Sequence, residues 1–138
     1  MGDKERTLLD TVELVNSGVI DASLSFISAP ESVLKCTCNG CGSADAKFDF
    51  VPDRIWGTYI GHACHVHDWD YKEGNTEKDR KRADNRMKSN IKKLIARDCE
   101  SKWYKPKLLM NTRANFYYAM VRWRGKKAFW KGKNSAQT

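Results

Sequence analysis

Hydrophobic positions recur along the chain with the spacing of helices rather than strands. Residues 4–17 put Leu8, Leu9, Val12 and Val15 on one face, with Asp3 placed to cap the start and Gly18 to end it. Residues 21–34 read as one or two short helical turns interrupted at Pro30. From 35 to 57 no helical period is visible, and turn residues, cysteines and Pro52 predict a long loop. A helix over 58–73 aligns Ile60, Cys64, His67, Asp68 and Tyr71 and stops at Gly74. Asn75 or Thr76 then caps a second helix to about residue 98, with Asp84, Met87, Ile91, Leu94 and Ile95 on one face and Lys78, Asp79, Arg80 and other charges elsewhere. A last helix over 107–124 carries a stripe of Leu109, Thr112, Phe116, Ala119, Met120 and Trp123, and Gly125 ends it. No useful segment alternates with period two, so the expected class is all-α. The expected frame is two long antiparallel helices, a cysteine-containing loop before the first, and extra helices at both termini. One domain spans 1–138: an N-terminal helical extension at 1–34, a loop and helix pair at 35–98, and a C-terminal helix and tail at 101–138.

Composition adds one asymmetry to this picture. The 138 residues carry a net charge of +8. Residues 101–138 hold ten Lys/Arg and no acid, so the whole excess sits there, with eight of the fifteen aromatics. Rings mixed with cations suit an anionic membrane surface, and also nucleic acid. The longest apolar runs are a few residues, too short to span a bilayer. The opening MGDKERTLLD lacks the apolar region of a signal peptide. The expected location is therefore cytoplasmic, phage-associated or reached by a non-classical export route.

The chemistry concentrates in the central pair. His67, Asp68 and Tyr71 interrupt an otherwise apolar face. Asp84 lies in line with Met87 and Ile91, where a carboxylate is costly unless paired. An Asp opposite a His accepts the imidazole N–H, fixes the tautomer and stabilises the imidazolium. His67 is then a general base, and water is the natural nucleophile, because no Ser or Cys is clearly placed to serve. Asp68, about 100° further round the helix, is positioned to hold a cation. His62 and His65 fall on another face and read as surface or loop-facing, while Trp69 and Asp70 read as peripheral.

These residues also carry a resemblance. C-H-V-H-D-W-D-Y at 64–71 resembles the C-x-x-H-D-x-x-Y helix of the phospholipase A2 superfamily, A-D-N-R-M at 83–87 its second long helix, and N-G-C-G at 39–42 the Asp-Gly-Cys loop of the small prokaryotic and phage-type members. The resemblance covers residues 39–95 and implies calcium-dependent hydrolysis of the sn-2 ester of glycerophospholipids. His67 would activate the water, Asp84 would orient it, and Tyr71 would hydrogen-bond Asp84. Ca2+ would be held by Asp68, with Asn39 and the carbonyl of Gly40, and would act as Lewis acid on phosphate and oxyanion. A Cys41–Cys64 disulfide is implied in the same way. Asn39 stands where prokaryotic members carry Asp, which lowers the expected calcium affinity. The implied partner is a phospholipid bilayer or micelle surface, anionic in character.

Two rivals remain. Cys36, Cys38, Cys41, Cys64, His62 and His65 offer zinc ligands, which with the basic tail would make a nucleic-acid-binding zinc module. A catalytically silent membrane-binding phospholipase-like fold is the other.

Overall fold

A computed structural model describes residues 3–38 and 51–133, with side chains from residue 7 onward. The described chain is mostly helical. Helix α1 (Asp3–Asn16) ends at Gly18, whose φ of 82° suits glycine alone at low cost. Short helices α2 (Leu24–Ser28) and α3 (Glu31–Thr37) follow, the first capped by the Ser23 hydroxyl and the second starting after Pro30. The remaining helices are α4 (Gly61–Glu73), α5 (Glu77–Ser101), α6 (Lys107–Arg124) and α7 (Lys126–Trp130). Thr76 rather than Asn75 caps α5: its hydroxyl accepts from the Asp79 N–H while the Asp79 carboxylate accepts from the Thr76 N–H.

The boundaries correct the sequence expectations at four places. The loop expected over 35–57 is shortened at its start, because α3 runs to Thr37, and at its end by a hairpin. Residues 58–60 are not helical. Strand β2 (Thr58–Tyr59) pairs antiparallel with β1 (Arg54–Ile55), joined by Trp56 (φ 50°) and Gly57 (φ 82°). Two positive φ values in a two-residue turn give the twist a hairpin needs. Helix α5 extends past 98 to Ser101, and an unexpected helix, α7, follows Gly125.

Helices α4, α5 and α6 build the core. Ile60, Ala63, Ile91, Ile95, Met110, Ala114 and Val121 are fully buried. Each buried Ile contributes about 1.5–3 kcal/mol over an exposed one. Helix α6 turns a different face inward from the one its pattern predicts. Met110, Ala114, Tyr117 and Val121 are buried, while Leu109, Thr112, Phe116, Ala119 and Trp123 are exposed. Small Ala114 and slender Met110 let the backbone of α6 approach α5, which bulky Phe116 and Trp123 would hold apart. Gly125 is required where it stands, since a Cβ there would lie 2.5 Å from both the Tyr71 hydroxyl and the Val121 carbonyl.

Candidate functional site

His67 and Tyr71 stand one turn apart on α4, so both side chains point the same way. They meet Asp84 of α5. His67 Nε2 lies 2.7 Å from Asp84 Oδ1, and the Tyr71 hydroxyl donates to the same oxygen at 2.7 Å. Side-chain exposure is 1% for His67 and 0% for Asp84, so water does not compete for this contact. The second oxygen, Oδ2, accepts from Arg122 of α6 at 2.7 Å, with Arg80 at 3.7 Å. Arg80 also donates to the Arg122 carbonyl and pairs with Glu77, which fixes its guanidinium in place.

Charge follows from this geometry. Burial pushes the Asp84 carboxyl up, but the hydrogen bond and charge of His67, then Tyr71 and Arg122, bring it below its ordinary value. Asp84 is therefore an anion and accepts the His67 Nε2–H. Burial, and then the Asp84 charge, raise the Tyr71 phenol, which keeps it a donor.

Neither arginine stands out in the sequence as part of a site. Arg80 stands there among the charges off the apolar face, yet it is 5% exposed. Its signal was available: it precedes Asp84 by four residues, one turn away. Arg122 had no local signal, because its partner lies 38 positions away.

The other histidines also correct expectation. His65 is buried, not surface-facing, and Thr11 of α1 lies between the two rings, 2.7 Å from His62 Nδ1 and 2.8 Å from His65 Nδ1. Burial and the neighbouring His62 push His65 down to about 4, and burial likewise lowers His62. Trp69 and Asp70 are not peripheral. Trp69 is buried and donates to the Ser25 hydroxyl, and Asp70 accepts two hydrogen bonds from Arg86, which also reaches Asp21.

Asp68, half-buried beside His67, offers the hard carboxylate oxygen that calcium takes. Asn39 and Gly40 lie outside the described residues, as does Cys41 of the expected disulfide. Cys36, Cys38 and Cys99 are free thiols, so none of them competes for Cys64. Burial, then the charges of Asp68 and Asp70, push the Cys38 thiol up to about 12, so it is a neutral thiol at neutral pH. Among the described residues no three His, Cys, Asp or Glu side chains converge as a metal cluster.

No helix among the described residues is long and apolar enough to cross a membrane. In comparisons with protein-family models, curated proteins and solved structures, nothing matches this chain.

Proposed function

We propose that the chain is a calcium-dependent phospholipase A2-like hydrolase, cleaving the sn-2 ester of glycerophospholipids. The observation that supports this most is the closed arrangement of His67, Tyr71 and Arg122 around the Asp84 carboxylate. In this reading α4 and α5 are the antiparallel pair that carries the dyad. Asp84 holds the proton on Nε2, so Nδ1 is the ring nitrogen that takes a proton from the attacking water. As the imidazolium forms, the Asp84 anion stabilises it without a change of its own protonation. Asp68, Asn39 and Gly40 would hold a calcium ion, which supplies a Lewis acid for the phosphate and the developing oxyanion. A Cys41–Cys64 bridge would tie the start of the site to α4.

His67→Ala should lower ester hydrolysis about 100- to 10,000-fold while leaving the helical circular dichroism unchanged. Retained turnover would remove the base assignment. EGTA should abolish activity, and a non-reduced digest should release a Cys41–Cys64 peptide pair. The near-complete burial of His67 favours a second reading, a silent fold of the same kind. Absence of hydrolysis with calcium and mixed micelles would decide for it.

A further inference from the structure

Helix α6 presents an apolar face to solvent. At about 100° per residue, Leu108, Ala119, Thr112, Trp123, Phe116 and Leu109 fall within about 100° of arc, away from the buried Met110, Ala114, Tyr117 and Val121. Exposure is 80% for Leu108, 55% for Leu109, 54% for Phe116 and 71% for Trp123. Arg113 and Arg124 flank this arc on one side and Arg122 on the other.

The hairpin and the turn before α6 add exposed rings near this helix. The Asp98 carboxylate, near the end of α5, accepts from Thr58 and pairs with Lys102 and Lys105. That cluster brings the hairpin tip and the 102–105 turn to the same end of the molecule. Trp56 at the tip is 56% exposed, and Trp103 and Tyr104 are 91% and 67% exposed. Trp56 and α6 share a cleft of about 320 Å³ lined by Arg54, Ile55, Trp56, Arg113 and Tyr117. Trp56 also holds φ at 50°, a conformation that a bulky residue adopts only at a cost. Asn or Gly would sit more easily at this φ.

We propose that this surface, formed by the outward side of α6, the Trp56 hairpin tip and the Trp103–Tyr104 turn, docks the protein on an anionic phospholipid bilayer. The inference deepens the lipid-hydrolase reading by naming its partner and docking face, and rests on that reading only for the purpose of docking. Charge complementarity selects the occupant: residues 101–138 carry ten cations and no acid, and seven of the ten are outside the ion pairs that Lys102 and Lys105 make with Asp98 and Arg122 makes with Asp84. An amphipathic helix lies in the headgroup plane with its apolar arc toward the acyl chains and its arginines at phosphate depth. Indoles favour the same depth. Nucleic acid would use the cations and the rings, but Leu108 and Leu109 gain nothing from stacked bases and gain from hydrocarbon.

The test is vesicle sedimentation of the full chain in EDTA, with phosphatidylcholine vesicles lacking or containing phosphatidylserine. Binding should rise at least tenfold with phosphatidylserine and fall as salt is added. Phe116→Glu and Trp123→Ser should each weaken it at least tenfold, while Leu24→Ser, an exposed apolar change on α2, should leave it unaltered. Trp56→Asn places Asn-Gly in the turn and should raise the melting temperature while weakening vesicle binding, which a purely structural Trp56 would not do. Brominated acyl chains should quench tryptophan emission of the bound protein. Binding that survives Phe116→Glu and Trp123→Ser, loss on Leu24→Ser, or capture of a DNA oligonucleotide with no vesicle binding would each overturn the proposal. His67→Ala should bind vesicles like the wild type, so an inactive protein that still docks sinks only the hydrolase reading. Hydrolysis of a short-chain monomeric ester without vesicle binding sinks only the docking face.

Discussion

Two histidines of α4, two residues apart, meet opposite electrostatic settings. His67 faces a carboxylate that Arg122 and Tyr71 hold as an anion. His65 faces the Thr11 hydroxyl and a second imidazole, and burial pushes it down to about 4. Both rings are closed off from solvent, so burial alone does not separate them. The partner does. A hydroxyl accepts or donates without charge, so protonation there finds nothing to offset desolvation. On this comparison one ring is paired with a buried carboxylate and the other ties α1 to α4.

The largest effect should follow from discharging the anion. Asp84→Asn keeps the shape but leaves Arg122 and Arg80 facing a neutral amide in a buried site. Breaking a buried charge cluster from one side costs about 3–5 kcal/mol. Urea denaturation would measure it. A loss under about 1 kcal/mol would mean that the guanidiniums relax to water, Arg122 being 26% exposed at its side chain. The contrast with His65 would then rest on less than the geometry suggests.

Next in size is an acid effect centred on His65. Its folded value of about 4 lies below the ordinary 6.5, so the unfolded chain binds more protons between them. Its stabilising contribution is present in full above about pH 6.5 and is lost progressively as pH falls to about 4. The span corresponds to about 3 kcal/mol, and His62 adds loss in the same direction. Stability measured from pH 7 to 4 should slope downward, and His65→Gln should flatten most of that slope. An unchanged slope in the variant would place the acid sensitivity elsewhere, among carboxylates such as Asp84 and Asp98, whose lowered values put their losses further down the scale.

The sequence shows some of this arrangement and hides the rest, for definite reasons. Asp84 is visible because a carboxylate among Met87, Ile91 and Leu94 contradicts its surroundings. His67 and Tyr71 are visible because four-residue spacing puts them on one face. The role of His65 is not, because Thr11 lies 54 residues away and a hydroxyl leaves no mark on the pattern. Helix α6 misleads because it is apolar on two sides. Its larger side chains make the clearer stripe, yet the smaller ones face α5. The hairpin hides behind Trp56, a residue no turn preference selects. Arg122 escapes notice since only the packing of α6 brings it to Asp84.

The smallest change sharpens the same comparison from within. Tyr71→Phe removes one donor from Asp84 Oδ1 and leaves His67 as the partner of that oxygen from α4. The ring still packs edge-on against Phe129 at 5.1 Å, so no sizeable cavity opens. The expected cost is about 1 kcal/mol, the net worth of a hydrogen bond. With one donor gone, the Asp84 carboxyl should titrate at higher pH, because Tyr71 is among the groups that hold it down. The acid-dependent loss of stability that Asp84 contributes below the ordinary carboxyl value should therefore be smaller in Tyr71→Phe, as urea denaturation over that pH range would measure. A larger acid-dependent loss in the variant would show that the phenol does not hold the carboxylate in its charged form. His67 and Arg122 would then account for the anion by themselves.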